Sequence, residues 1–162
     1  SINGATQTLK VEPRTTLLDA LRTRLEPALT GTKLVCDSGS CGACTVLLDG
    51  KLAYACMNLA IDQVGRQVTT VEGLGTPEAQ SDVQRAFCAE DAAMCGFCTP
   101  GFIVACHAAL ERKPNGTLDE LKHEISGNLC RCGTYPHIFN ALQRVQAERQ
   151  VASQQGSKKG AK

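Results

Sequence analysis

Ten cysteines in 162 residues constrain this chain more than any other feature, and eight of them fall into two groups of four. The first group, Cys36, Cys41, Cys44 and Cys56, reads C-x4-C-x2-C-x11-C. The second sets Cys95-x2-Cys98 against Cys130-x-Cys132, with 31 residues between the pairs. A secreted disulfide scaffold usually has fewer than about 100 residues and spreads its cysteines through loops. Two compact tetrads in a longer chain argue for metal before disulfides.

The stretch "CDSGSCGACTV", residues 36–46, shows what kind of metal. C-x4-C-x2-C is the spacing of the plant-type [2Fe-2S] loop, completed by one more distant cysteine, whereas zinc more naturally takes two C-x2-C knuckles. The soft residues have a purpose in such a loop. Gly39 and Gly42 can adopt positive φ, while Ser38, Ser40, Ala43 and Thr45 let the backbone come close, so that peptide N–H groups face sulfur. Two ferric ions, two sulfides and four thiolates carry a formal charge of about −2, which reduction makes about −3. Amide donors offset that charge and tune the potential.

A lone C-x2-C is ambiguous among zinc, a redox dithiol and a cluster. Here "CTPG" puts Cys98 just before Thr99 and Pro100 at a helix start, and "CRCGTYP" puts Cys130 and Cys132 just before Pro136 at another. Thiolates and an anionic cluster are favoured at helix N-termini. The second tetrad therefore reads as a second [2Fe-2S] site. A thioredoxin-like dithiol would need a preceding strand and a single pair.

Around these sites the hydrophobic pattern changes halfway along. Residues 5–11, "ATQTLKV", alternate as a strand with one wet face, and Leu17, Leu18, Leu21 and Leu25 mark a short amphipathic helix capped by Thr15 or Thr16. "TVLLDGKLAYAC" is a hairpin turning at Asp49 and Gly50, and "VTTV", residues 68–71, offers another strand. Residues 1–75 thus read as a small mixed sheet with a helix across it. Beyond "EGLGTP" the period becomes 3.6, and four helices are expected in residues 76–147. They run from about Pro77 to Glu90, from near Pro100 with Phe102, Ile103, Cys106, Ala109 and Leu110 on one face, from a Thr117/Glu120 capping box, and from near Pro136. The class is α+β. Residues 148–162 lose the apolar period and read as a frayed or partner-bound tail.

Composition narrows the function by exclusion. Seventeen basic and sixteen acidic residues leave a net charge of +1, so no broad field favours nucleic acid. No apolar run approaches the roughly 20 residues of a spanning helix, and the N-terminal "SINGATQTLK" has no signal-like apolar region, so no membrane insertion is expected. There is no G-x-G-x-x-G, P-loop or G-x-S-x-G, and no residue stands out as a general base or nucleophile with its partners. Any substrate chemistry belongs to another chain. Cys88 and Cys106, at helical positions, read as small buried hydrophobes, and His107, His123 and His137 as surface or capping residues, His137 being close enough to the second tetrad to tune it.

"GTKLVCDSGSCGACTVLLDG", "MCGFCTPGF" and "GNLCRCGTYP" together resemble the signatures of the two-cluster iron-sulfur subunit of molybdenum hydroxylases, the xanthine oxidase and aldehyde oxidoreductase family. The likeness runs from about Asn3 to Leu142. It implies a plant-ferredoxin-like (β-grasp) N-terminal domain and a C-terminal four-helix domain, each with one [2Fe-2S] cluster. It also implies that Cys95, Cys98, Cys130 and Cys132 hold the inner cluster, beside the molybdopterin of a large catalytic subunit, with Cys132 nearest the pterin and Met94 and Gly96 in the cofactor-facing loop. Cys36, Cys41, Cys44 and Cys56, with Gly39 and Gly42, would hold the outer cluster, which passes electrons to a cytochrome c or flavin subunit.

Two departures stand out. Met94 occupies the place where the family commonly has a Gln that hydrogen-bonds the pterin, and a thioether is a weak acceptor and no donor. Gly133, Thr134 and Tyr135 replace the usual Thr-Gly-Tyr, a variant resembling bacterial two-subunit enzymes that deliver electrons to cytochromes. The reading is an electron-transfer subunit, assembled in the cytoplasm and residing there or exported with a partner, of an enzyme acting on an aldehyde or N-heteroaromatic compound. A free ferredoxin-like carrier and a zinc-binding interaction module are the competing readings. Met94, Phe97 and Phe102 are expected to form an apolar subunit interface.

Overall fold

A computed structural model describes residues 1–159, with side chains through residue 154. Helix α1 (Leu17–Thr23) starts where the Thr16 hydroxyl accepts from the Asp19 N–H at 3.1 Å. Its Leu17, Leu18 and Leu21, with Leu25 just beyond, are buried against Val46, Leu48 and Val68 of a three-stranded sheet. That sheet has the order β2-β1-β3, with β1 (Thr45–Leu48), β2 (Lys51–Tyr54) and β3 (Val68–Thr69) all pairing antiparallel. Asp49 and Gly50 turn the hairpin with φ of 50° and 77°, which puts Leu48 opposite Lys51.

All four residues of β1 are buried, because the strand is covered by α1 and also contacts α3 of the second half. That second half is built from α2 (Asp82–Ala89), α3 (Thr99–Arg112), α4 (Leu118–Glu124) and α5 (Tyr135–Lys159). Phe102, Ile103, Cys106, Ala109 and Leu110 of α3 enter one core with Leu121, Ile125, Ile138, Leu142 and Val145. The capping box at Thr117 and Glu120 forms as the sequence indicates. This is the α+β arrangement of a ferredoxin-like half followed by four helices.

Several local expectations give way. Residues 6–11 form no strand; only Ile2 bridges, to Ala5 and to Val68. Period-2 alternation specifies faces, but a ladder also needs a neighbouring strand, and none lies beside this segment among the described residues. Helix α2 begins at Ser81, not Thr76, because Ser81 and Gln84 satisfy each other's N–H groups reciprocally while Thr76 closes its own turn onto Ala79. Cys88 is exposed, unlike the fully buried Cys106.

Phe102 is also buried rather than surface-facing, packed edge-to-face on Tyr135 with centroids 5.9 Å apart. Helix α5 continues to Lys159, into the expected tail, since Ala, Gln, Glu and Arg carry good helix propensity without an apolar stripe. Arg149 fastens it to Asp82 at 2.7 Å and Glu111 at 2.8 Å, and Arg144 to Glu90 at 2.6 Å. Residues 160–162, the end of that tail, lie outside the described residues.

Candidate metal centres

The loop before β1 carries Cys36, Cys41 and Cys44, and Cys56 comes from the short 3-10 turn after β2. Asp37, Gly39 and Gly42 hold φ of 52°, 72° and 70°, so the loop coils inward instead of extending. Its N–H groups reach sulfur, with Ser40 donating to Cys36 Sγ at 3.3 Å. The Ser38 N–H, above all, brings the Cys36 thiol down to about 6. Burial pushes Cys44 up to about 12, and Cys44 Sγ lies 3.4 Å from Cys56 Sγ.

In the second half, Cys95 and Cys98 lead into α3, with Cys98 at its N-cap and Pro100 in its first turn. Cys130 and Cys132 lie in the loop ahead of α5. The Tyr135 hydroxyl accepts from the Cys130 N–H at 2.8 Å, and the Cys130 thiol meets the Thr134 hydroxyl at 3.4 Å. Burial would raise Cys130, but the Thr134 hydroxyl and N–H outweigh it and leave the thiol at about 7. The Phe97 N–H lowers Cys95, whereas burial takes Cys98 up to about 12.

The thiols neighbour one another in pairs: Cys44 Sγ lies 3.4 Å from Cys56 Sγ, and Cys36 is next to Cys41, Cys95 to Cys132 and Cys98 to Cys130. Two thiolates on one tetrahedral metal, at bonds of about 2.3 Å, sit about 3.8 Å apart. The Cys44–Cys56 spacing is close to that value, and thiols neighbouring in pairs would suit a two-iron cluster, in which each iron would take two protein sulfurs. Among the described residues no group of three or more His, Cys, Asp or Glu converges on a single ion.

One pair at each site is more open than the other. Cys95 and Cys132 are exposed, beside Met94 (73% exposed) and Phe97 (50%), while Cys130 is buried. Cys36 and Cys41 are half-buried, and Cys44 and Cys56 are buried. Among the described residues no histidine joins either tetrad: His137 Nδ1 lies 2.8 Å from the Glu90 carbonyl, tying α5 to the end of α2, and His123 is exposed. Gly96 (φ 78°) shapes the Cys95–Cys98 loop.

Residues that no local pattern marked join the two halves. Asn128, 5% exposed, donates to the Gly42 carbonyl at 2.8 Å and to the Thr45 hydroxyl at 3.1 Å. The Tyr54 hydroxyl donates to the Gly127 carbonyl at 3.1 Å, the Leu129 N–H donates to the Cys41 carbonyl at 2.9 Å, and Lys33 lies over the Phe97 ring at 5.7 Å. The one available sequence signal was "GNL" directly before Cys130, legible only as part of a longer motif.

Two domain-family models between them match all but the C-terminal residues: a 2Fe-2S iron-sulfur cluster binding domain over residues 1–71 and a [2Fe-2S] binding domain over residues 70–143. The aldehyde oxidoreductase iron-sulfur-binding protein PaoA of Escherichia coli O157:H7 is 43% identical, over 91% of this chain and 70% of its own length. This chain belongs to the two-cluster iron-sulfur subunits of the molybdenum hydroxylases. One of the subunits of nicotinate dehydrogenase from Pseudomonas putida is 42% identical, over 89% of this chain and 90% of its own. Quinoline 2-oxidoreductase from Pseudomonas putida 86 superposes with a TM-score of 0.85 and 41% identity, covering 91% of both chains. Aldehyde oxidoreductase from Desulfovibrio gigas gives a TM-score of 0.87 and 35% identity over 94% of this chain but only 17% of its own.

As a member of that family the chain has two [2Fe-2S] domains and is the electron-transfer component of an oxidoreductase complex, with the molybdopterin on a large catalytic partner. Among the described residues, no helix is long and apolar enough to cross a membrane.

Proposed function

We propose that electrons from the molybdopterin of the catalytic partner enter this chain at Cys95 and Cys132, pass between the two tetrads, and leave near Cys36 and Cys41. The observation that carries this reading is the pairing of eight thiols into two sites, each with one more accessible and one more buried edge. An accessible edge beside Met94 and Phe97 suits a partner that brings its cofactor to the inner tetrad, and the outer tetrad's edge suits an acceptor. Residues 1–75 and 76–147 act as the two cluster-bearing domains.

Each cluster takes one electron, so two in series accept the pair released by one substrate oxidation. Cys36, Cys41, Cys44 and Cys56 hold one cluster, and Cys95, Cys98, Cys130 and Cys132 the other. Gly39 and Gly42 shape the outer loop and Gly96 the inner one. Met94 meets the partner by packing, because its thioether cannot reproduce the donor of an amide. The acceptor is a cytochrome c or a flavin subunit, the substrate an aldehyde or N-heteroaromatic compound as in the similar aldehyde oxidoreductase and nicotinate dehydrogenase proteins. Cluster insertion takes place in the cytoplasm, and the folded chain stays there or crosses with a signal-bearing partner.

Elemental analysis of the natively purified chain with its co-purifying proteins tests this. About four irons per chain, with molybdenum arriving alongside a much larger polypeptide, is the expected result. Four irons without molybdenum or partner would support a free carrier, and zinc in place of iron would overturn the reading.

A further inference from the structure

Three helices of this chain begin at a hydroxyl that turns toward its own helix. Thr16 accepts from the Asp19 N–H, Ser81 from the Gln84 N–H and Thr117 from the Glu120 N–H. Thr134, the residue before α5, does otherwise. Its hydroxyl lies 3.4 Å from Cys130 Sγ, and among the described residues no helix N–H donates to it. The residue is 4% exposed, so water does not compete for that hydroxyl.

The loop is shaped for this contact. Gly133, at φ 78°, turns the chain back onto Cys130, and the Thr134 N–H reaches the same sulfur. The Tyr135 hydroxyl meanwhile accepts the Cys130 N–H at 2.8 Å, which spends that amide on oxygen. The contrast with the other tetrad thiols is sharp. Burial pushes Cys44 and Cys98 up to about 12, whereas at Cys130 the two Thr134 donors are the largest counterweights to burial. In the outer loop Ser38 reaches Cys36, but Ser38 is exposed and shares its hydroxyl with Ser40. Thr134 holds its hydroxyl on sulfur away from water.

We infer that Thr134 is a positioning residue of the inner tetrad, whose buried hydroxyl donates to Cys130 Sγ once that sulfur is a metal ligand and thereby makes the inner cluster easier to reduce. The inference rests on the eight-cysteine reading above. A thiol can donate its own proton to the Thr134 oxygen, but a metal-bound sulfur has lost that proton, so the hydroxyl has to be the donor. Reduction makes a [2Fe-2S] centre more negative by one unit, and a hydrogen bond to its sulfur strengthens as that charge grows. The bond therefore favours the reduced form.

The test uses the full chain in its natively purified complex. Thr134→Val keeps the branched shape and removes the hydroxyl, and Thr134→Ser restores the hydroxyl without the methyl. Electron paramagnetic resonance during a redox titration reads the midpoint potential of each cluster. Thr134→Val should make the inner cluster up to about tenfold harder to reduce, a negative shift of up to about 59 mV for one electron, and leave the outer potential unchanged. Thr134→Ser should stay close to wild type. A role confined to starting α5 would lower the melting temperature without moving the potential.

An unchanged inner potential in a Thr134→Val protein that retains both clusters overturns the inference, as does a Thr134→Ser protein that shifts as far as Thr134→Val. Absence of the inner cluster from the wild-type chain overturns the ligand reading instead. Should Thr134→Val fail to hold the inner cluster, electron-nuclear double resonance of the reduced wild type and Thr134→Ser in heavy water decides. A deuteron coupled to the inner cluster, entering both proteins before the buried amides exchange, supports the hydroxyl donor, and its absence overturns it.

Discussion

A Cβ placed on Gly101 would stand 2.5 Å from the carbonyl oxygen of Gly42. The first turn of α3 and the outer cluster loop therefore meet backbone to backbone, although each belongs to a different half of the chain. Gly101→Ala must push the two apart. The expected result is a folded helical half, a lower melting temperature for the outer half, and a loss of stability of about 1–3 kcal/mol, as for overpacking elsewhere. Calorimetry of the iron-loaded protein checks it, and a wild-type melting profile would show that the contact is slack.

Gly42→Ala adds strain to the same contact. Gly42 sits at φ 70°, and its added methyl would crowd Gly127 and Asn128. A left-handed non-glycine residue costs roughly 1–3 kcal/mol before any clash. The outer cluster should be lost or become labile while the inner one remains, read as a fall from about four to about two irons per chain.

The thiol pairing makes the clusters separable. Cys44→Ser should abolish the outer cluster's signal and leave the inner one, and Cys130→Ser should do the reverse, because the tetrads share no ligand. Loss of both signals from either single substitution would mean that the halves fold only together.

Phe97 is half exposed beside Cys98, under Lys33, and next to the exposed Met94 loop. Phe97→Asp should release the chain from its large partner while both clusters remain. Co-purification from cells measures this, and a stable complex containing the variant would count against an interface at this loop.

The Asp82–Arg149 pair fastens the far end of α5. Burial raises the Asp82 carboxyl, but the Arg149 guanidinium more than offsets this and holds it below its ordinary value. A carboxyl depressed in the folded state stabilises fully above its unfolded pKa of about 3.9 and loses that contribution as pH falls through the lower folded value. Asp82→Asn should therefore cost roughly 0.5–1 kcal/mol, evenly from pH 5 to 8. The difference from wild type should shrink below about pH 4. Denaturant midpoints across that range measure the effect, and a pH-independent difference would place the cost in packing.

How much of this was legible in the sequence depends on whether a feature is local. Cys36, Cys41 and Cys44 announce a loop through their own spacing, and the Thr117/Glu120 box and the Asp49-Gly50 turn are complete within four residues, so they could be read directly. The strand expected at residues 5–11 failed because pairing needs a neighbour that alternation does not encode. Cys88 was misplaced because Val83, Ala86 and Phe87 form the buried stripe of α2 at i, i+3 and i+4, and Cys88 lies one position, about 100°, off it.

Asn128, Tyr54 and Gly101 were invisible for a different reason. Their partners lie in the other half, 83 and 86 residues from Asn128 and 73 from Tyr54, and nothing near them in sequence states a need for those contacts. The family resemblance supplied the division of labour between the tetrads. It was silent about the contacts of Gly127, Asn128 and Leu129 that join the two halves.

The most direct measurement is an electron paramagnetic resonance titration of the purified complex as it is reduced. Two distinct signals should appear, each integrating to one spin per chain, with the total iron at about four. A single signal at half that iron content, or a silent protein containing zinc, would contradict the claim that this chain carries electrons through two clusters.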